Sequence, residues 1–124
     1  MLKAKRDLPI RYFDTDQAWE AWLEENHETS EGALIKFAKK DSGIQSVSLE
    51  EALDTAICFG WIDSQAASFD DSFWLLRFTP RRPTSRWSAR NRERVLRLAE
   101  QGRLRDAGRR AIESAKRDGR WESA

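Results

Sequence analysis

Ser48-Leu49-Glu50-Glu51 is the stretch that most restricts what this chain can become. The serine hydroxyl can accept from the amide three residues on while the Glu51 carboxylate reaches back to the serine amide, which fixes where a helix begins. Leu49, Ala52, Leu53, Ala56 and Ile57 then recur at i, i+3, i+4, i+7 and i+8, an apolar stripe that must be buried. Gly60 stands where a left-handed residue can end such a helix. Trp61 to Ala67 and Ser72 to Phe78 read as two strands joined around Asp70-Asp71. In the second, Trp74, Leu76 and Phe78 share one face while Phe73, Leu75 and Arg77 share the other, so an antiparallel hairpin is expected.

The flanking sequence supplies the remaining elements. Residues 1–12 carry mixed charge, one proline and no apolar period, and read as an N-terminal arm. Asp14 and Thr15 offer capping oxygens ahead of Ala18, Trp19, Trp22 and Leu23, predicting a helix from about Asp16 to Asn26. His27 sits where an imidazole can bond the last helical carbonyls, a role favoured over catalysis because no nucleophile accompanies it. Ala33 to Ala38, bounded by Gly32 and by Lys39-Lys40-Asp41-Ser42-Gly43, is too short for a helix and reads as a strand. Pro80 and Pro83 stop the sheet, and Ser88 caps a helix carrying Val95, Leu96, Leu98 and Ala99 and ended by Gly102. Leu104, Ala107, Gly108, Ala111, Ile112 and Ala115 mark a final helix closed by Gly119, small enough on one side to approach its support closely, with Trp121 folding back as a plug. The expectation is an α+β fold in which a small, mostly antiparallel sheet of about three strands is covered by about four helices, in the order α-β-α-β-β-α-α, forming one domain over residues 13–124.

A chain of 124 residues fits one core. Its six tryptophans supply bulk that the short aliphatic runs lack. No apolar run approaches the roughly 20 residues that span a bilayer, and Met1 to Arg6 leads into Asp7 and Pro9 instead of a signal-peptide apolar segment, so a cytoplasmic protein without membrane insertion is expected. Cys58 alone cannot form an internal disulfide or a cysteine metal pair; it reads as a small buried hydrophobe, and no metal or cofactor is expected. Charge is uneven: 7 Lys and Arg face 15 Asp and Glu over residues 1–76, against 15 facing 5 over residues 77–121. Fourteen of those later cations are arginine, the side chain whose planar fork suits phosphate and carboxylate. A basic half can attract nucleic acid, but the acidic half can equally neutralise it within the fold or across a homo-oligomer.

Trp22-Leu23 in an early helix, Lys39-Lys40 after the first strand, Glu51 to Ser64, Phe78 to Asn91, Leu98 to Gly102 and Ala115 to Trp121, in that order, resemble the YdeI/OmpD-associated family, also called bacteriocin-protection proteins. The resemblance runs from Phe13 over nearly the whole chain, although members commonly carry a further C-terminal segment that a chain ending at Ala124 lacks. It implies an accessory part in tolerance of envelope-directed toxic peptides. No cofactor or catalytic set comes with it.

Trp61, Asp63, Arg77, Arg81, Arg82, Ser85, Trp87 and Asn91 form the candidate site, on the expectation that the hairpin and the third helix face one another across a water-accessible cleft. Arg81 and Arg82 would hold an anion, Trp61 and Trp87 would wall it, Asp63 would orient the arginines, and free amides after Ser88 would add a positive helix end. A structural reading competes, in which an arginine locks the proline-rich turn and both tryptophans are core. Catalysis by Asp63, Ser64 or Ser85 is weaker still, because nearby arginines lower a carboxylate's pKa when a base needs it raised. The sequence therefore favours a non-enzymatic binding protein for an anionic ligand, with a nucleic-acid or protein interaction module as the alternative.

Overall fold

The computed structural model describes residues 8–121. Its elements run β1 (Ile10–Tyr12), α1 (Asp16–Asn26), β2 (Ala33–Ala38), α2 (Leu49–Cys58), β3 (Trp61–Ser68), β4 (Phe73–Pro80), α3 (Ala89–Glu100) and α4 (Asp106–Arg117). The class is α+β as expected, with four strands in place of about three. The added strand, β1, lies in the segment read as an arm, of which residues 1–7 fall outside the described residues. Sheet order is β1-β2-β4-β3. β1 runs parallel to β2, while β2 with β4 and β4 with β3 are antiparallel, so the sheet is mixed and mostly antiparallel.

Local chemistry sets the helix ends. Thr15 accepts from the Ala18 amide, and Ser48 with Glu51 forms the reciprocal capping box. Gly60 leaves α2 at φ +78. Gly108, in the first turn of α4, lies so close to the end of α2 that a β-carbon there would stand 2.4 Å from the Cys58 carbonyl oxygen. The Arg105 amide donates to that same carbonyl at 3.0 Å, fixing the approach.

All four helices contribute buried residues to one side of the sheet. Ala33, Ile35 and Phe37 of β2 and Leu76 and Phe78 of β4 meet Trp19 and Leu23 of α1, Ala52 and Ile57 of α2, Leu98 of α3, and Ile112 and Ala115 of α4. Trp19 and Trp22 stack with centroids 5.9 Å apart, and Trp61 stands edge-on to both. Fully burying each such large side chain contributes about 1.5–3 kcal/mol. The opposite face carries Tyr12, Phe73 and Lys36, the Lys36 ammonium lying 4.2 Å from the Phe73 ring centre. Trp121 does fold back, packing 5.2 Å from Trp87.

Candidate functional site

The two sequence motifs meet directly. Trp61 pairs with Pro80 and Ile62 with Thr79 across the β3–β4 ladder, and the Arg81 amide extends it by donating to the Gly60 carbonyl at 2.9 Å. The tryptophans are nevertheless not walls of a cleft. Trp61 and Trp87 are each 1% exposed. The Trp61 indole nitrogen donates inward to the His27 carbonyl at 3.3 Å, and its ring is enclosed by Trp19 and Trp22. An indole with almost no exposed surface cannot stack on a ligand, and the wall role expected for Trp61 and Trp87 is corrected accordingly.

The twin arginines part company. Arg81 turns inward, its guanidinium 3.7 Å from the Trp87 ring centre with one nitrogen donating to the Arg86 carbonyl at 3.0 Å. Burial, and then the neighbouring Arg120 charge, bring its pKa down to about 10, while the Asp63 charge acts in the opposite direction. Its other terminal nitrogen is buried without a hydrogen-bond partner among the described residues, consistent with a guanidinium spent on ring stacking. Arg81 is therefore a structural cation, and the ligand-holding role expected of it is corrected. Arg82 next to it is exposed.

A hollow of about 500 Å³ opens where β3, β4 and the turn after Pro80 converge. Arg77, Arg82, Asp63 and Glu31 are the charged residues on its border. Ser64, Thr79 and Ser85 add hydroxyls, with Ile62 and Pro80 as apolar wall. Arg77 and Thr79 alternate with the buried Leu76 and Phe78, which puts them on the sheet face away from the helices. Ser85 is held in place because its hydroxyl accepts from the Arg82 amide at 3.2 Å and its carbonyl from Arg120 at 2.9 Å. The Arg77 and Arg82 guanidinium groups form no ion pair, side-chain hydrogen bond or ring contact with any other described residue. Of the eight candidate residues, then, Asp63, Arg77, Arg82 and Ser85 share one hollow.

Asn91 lies elsewhere. It borders a crevice with Trp61, Asp63 and Leu53 that has no space for a water molecule. Its amide, expected to be free, donates to the Ser88 hydroxyl at 3.1 Å, so the start of α3 is already capped. Another hollow, of about 460 Å³, lies by the Lys39–Leu49 loop with Phe37, Trp74, Ile44 and two lysines around it. Its polar rim depends on flexible ammonium groups instead of a pair of forks.

Residues not singled out in the sequence complete the electrostatics. Glu31 and Thr79 border the hollow. Asp54 of α2 is nearly buried and accepts from Arg94 at 3.1 Å and from Arg97 at 3.0 Å. Burial pushes the Asp54 pKa up, but the bonds and charges of Arg97 and Arg94 outweigh it and hold the carboxyl below its ordinary value. Glu50 adds a second partner to Arg94 at 2.9 Å. Arg105 reaches Glu20 and Glu24 at 2.8 Å each, and Arg103 approaches Asp16 at 3.9 Å. Four arginines of the basic second half, Arg94, Arg97, Arg103 and Arg105, are thus docked on carboxylates of the acidic first half, a partial form of the internal neutralisation that competed with nucleic-acid binding. Cys58 is buried, and burial raises its thiol to about 11.

Among the described residues, no group of three or more His, Cys, Asp and Glu is placed to hold a metal ion. No helix among the described residues is long and apolar enough to cross a membrane. Searches of curated proteins and of solved structures returned no match. Residues 11–111, from β1 into α4, match a family described as a domain of unknown function, DUF8412. That match takes in β2, β3 and β4, the hollow and the arginine–carboxylate seam, and the chain belongs to the DUF8412 family.

Proposed function

We propose that this is a non-enzymatic binding protein which takes a small anionic molecule in the hollow beside β3 and β4, with Arg77 and Arg82 as the ligand's charge partners. The observation carrying this reading is that two guanidinium groups border one accessible hollow without a partner among the described residues. Elsewhere Arg94, Arg97 and Arg105 are matched to carboxylates, so these two cations stand apart from the electrostatics that hold the fold. An arginine fork donates two parallel bonds to a carboxylate or phosphate, and Ser85, Thr79 and Ser64 offer further donors. Sequence resemblance to YdeI/OmpD-associated proteins supports a cytoplasmic setting with an accessory part in tolerance of toxic peptides.

Thermal-shift measurements with inorganic phosphate, pyrophosphate, nucleotides and small carboxylates test the reading. A ligand present at about ten times its Kd stabilises by about 1.4 kcal/mol, about 5 °C for a domain of this size. Replacing Arg77 and Arg82 together by glutamine should remove the shift while leaving the ligand-free melting temperature within about 2 °C. A shift that survives the double replacement, or no shift with any carboxylate- or phosphate-bearing compound, overturns it. Salt-sensitive binding of single-stranded nucleic acid that ignores both replacements would put the interaction-module reading in its place.

A further inference from the structure

Four side chains of formal charge border the hollow, and the signs are balanced: Arg77 and Arg82 against Glu31 and Asp63. Opposite charges on one concave surface ordinarily collapse into ion pairs. None of the four does so with another, or with any other described residue, although ion pairs form readily elsewhere in the molecule. Glu31 is anchored at the entrance to β2, between Ser30, whose hydroxyl accepts from the Gly32 amide at 3.1 Å, and Gly32, which sits at φ +144. Gly32 has no room for a β-carbon, which would fall 2.8 Å from the Phe78 carbonyl oxygen. Arg77 and Thr79 are fixed by the β4 ladder, and Asp63 pairs with Phe78 across β3–β4. Cross-strand pairing puts the Asp63 side chain on the face of Phe78 and the Arg77 side chain on the other, so this carboxylate and guanidinium approach the hollow from opposite faces of the hairpin and do not neutralise each other.

Such a border is poorly suited to a bare polyanion, because each carboxylate opposes part of the attraction of the guanidinium groups. It suits a molecule carrying one charge of each sign. We infer that the hollow takes a zwitterion of the amino-acid or short-peptide class, with its carboxylate toward Arg77 and Arg82 and its ammonium toward Glu31 and Asp63. In this class a free α-carboxyl of pKa about 3.5 and a free α-amine of pKa about 8 keep both charges at neutral pH. The assignment deepens the anion-site reading and rests on it. Asp63 has a second charge relation, with the inward-turned Arg81, which acts through space without an ion pair; Glu31, exposed and without an ion pair among the described residues, is the cleaner probe of the ammonium subsite.

The test uses the full chain and isothermal titration with diglycine and triglycine, their N-acetyl and C-amide derivatives, and inorganic phosphate. At least one free peptide should bind, and blocking either end should weaken it about tenfold or more. Glu31→Gln should weaken the free peptide about fivefold or more while leaving the N-acetyl peptide unchanged or slightly tighter, whereas Arg82→Gln should weaken both. Glu31 and Arg82 are exposed, and circular dichroism melts of both variants confirm that folding is intact. If phosphate or the N-acetyl peptide binds as tightly as the free peptide, with sensitivity to Arg82→Gln, the zwitterion assignment falls and the anion site stands. If neither free peptides nor anions bind, or if the C-amide cation binds tightest, both fall.

Discussion

Replacing Gly108 by alanine should destabilise the protein, opposite to what helix propensity predicts. In an unconstrained helix interior the change stabilises by about 1 kcal/mol. Here the new β-carbon would lie 2.4 Å from the Cys58 carbonyl oxygen and 2.9 Å from the Ile57 carbonyl oxygen, and both are backbone atoms that cannot swing aside. Restoring an ordinary contact requires α4 to retreat from the end of α2 by about 1 Å, an overpacking strain of about 1–3 kcal/mol. That retreat also stretches the 3.0 Å bond from the Arg105 amide to the same Cys58 carbonyl, leaving a buried acceptor short of its donor at a cost of about 1–3 kcal/mol. The net is about 1–5 kcal/mol lost, centred near about 3 kcal/mol, or about 12 °C in melting temperature for this chain length. Urea titration monitored by tryptophan fluorescence should show a lower midpoint with an unchanged slope. Gly119→Ala separates the two effects: nothing lies within 4 Å of the added carbon, so any loss there is the cost of its left-handed backbone at φ +77, a conformation Gly108 does not share. Were Gly108→Ala as stable as the parent, or more so, the close approach of α4 to α2 would be wrong.

Three further outcomes follow from the same geometry. Asp54→Ala removes the carboxylate shared by Arg94 and Arg97 and should cost about 3 kcal/mol, the low end for a buried pair because Arg94 keeps Glu50. Since the folded Asp54 pKa is depressed, its contribution is complete above the unfolded value of about 3.9 and vanishes as pH falls through the lower folded value. The gap between parent and variant should therefore begin to close below about pH 4 in urea melts and keep closing as pH falls further, and a gap that stays constant across that range would assign the loss to packing. Arg81→Gln, which strips the cation from the Trp87 ring, should destabilise by about 1–2 kcal/mol, while Arg82→Gln should change stability by under about 0.5 kcal/mol; equal effects in thermal melts would contradict the opposite orientations of these neighbours. Cys58 should resist alkylation in the native state, because at pH 8 a thiol of pKa about 11 is thiolate in only about one molecule in a thousand and is buried besides. Rapid labelling by Ellman's reagent without denaturant would refute its burial.

Local features carried most of the fold. The capping hydroxyls at Thr15, Ser48 and Ser88 act within three residues of themselves, so the helix starts they set could be read from sequence. The hairpin was equally local, turning around Asp70, whose carboxylate accepts from the Ser72 and Phe73 amides. β1 was not legible: three residues give no period, and their parallel pairing with β2 is made only after α1 has crossed over. Nor could the site be apportioned correctly. Adjacent arginines after Pro80 lie beyond the pleat that would assign them to faces, and Arg81 is drawn inward by Trp87, five residues of Pro-containing turn later. Burial of Trp61 depends on the helix α1, far back in the chain. Glu31 borders the hollow because β4 pairs with β2 as well as with β3, a sheet order that no spacing in the sequence encodes. Asp54 went unnoticed for a related reason, since its partners Arg94 and Arg97 stand 40 and 43 residues away.

The most direct test of the site is to watch the guanidinium groups themselves. In a nitrogen-15 correlation spectrum of the arginine Nε–Hε signals, titration with diglycine should move Arg77 and Arg82 together, saturably, at ligand concentrations of about a millimolar, and leave Arg81 and Arg94 in place, while pyrophosphate should move the same two signals only at higher concentration. Shifts confined to arginines on the exposed surfaces of α3 and α4, or no movement of Arg77 and Arg82 with either ligand, would contradict a binding site in the β3–β4 hollow.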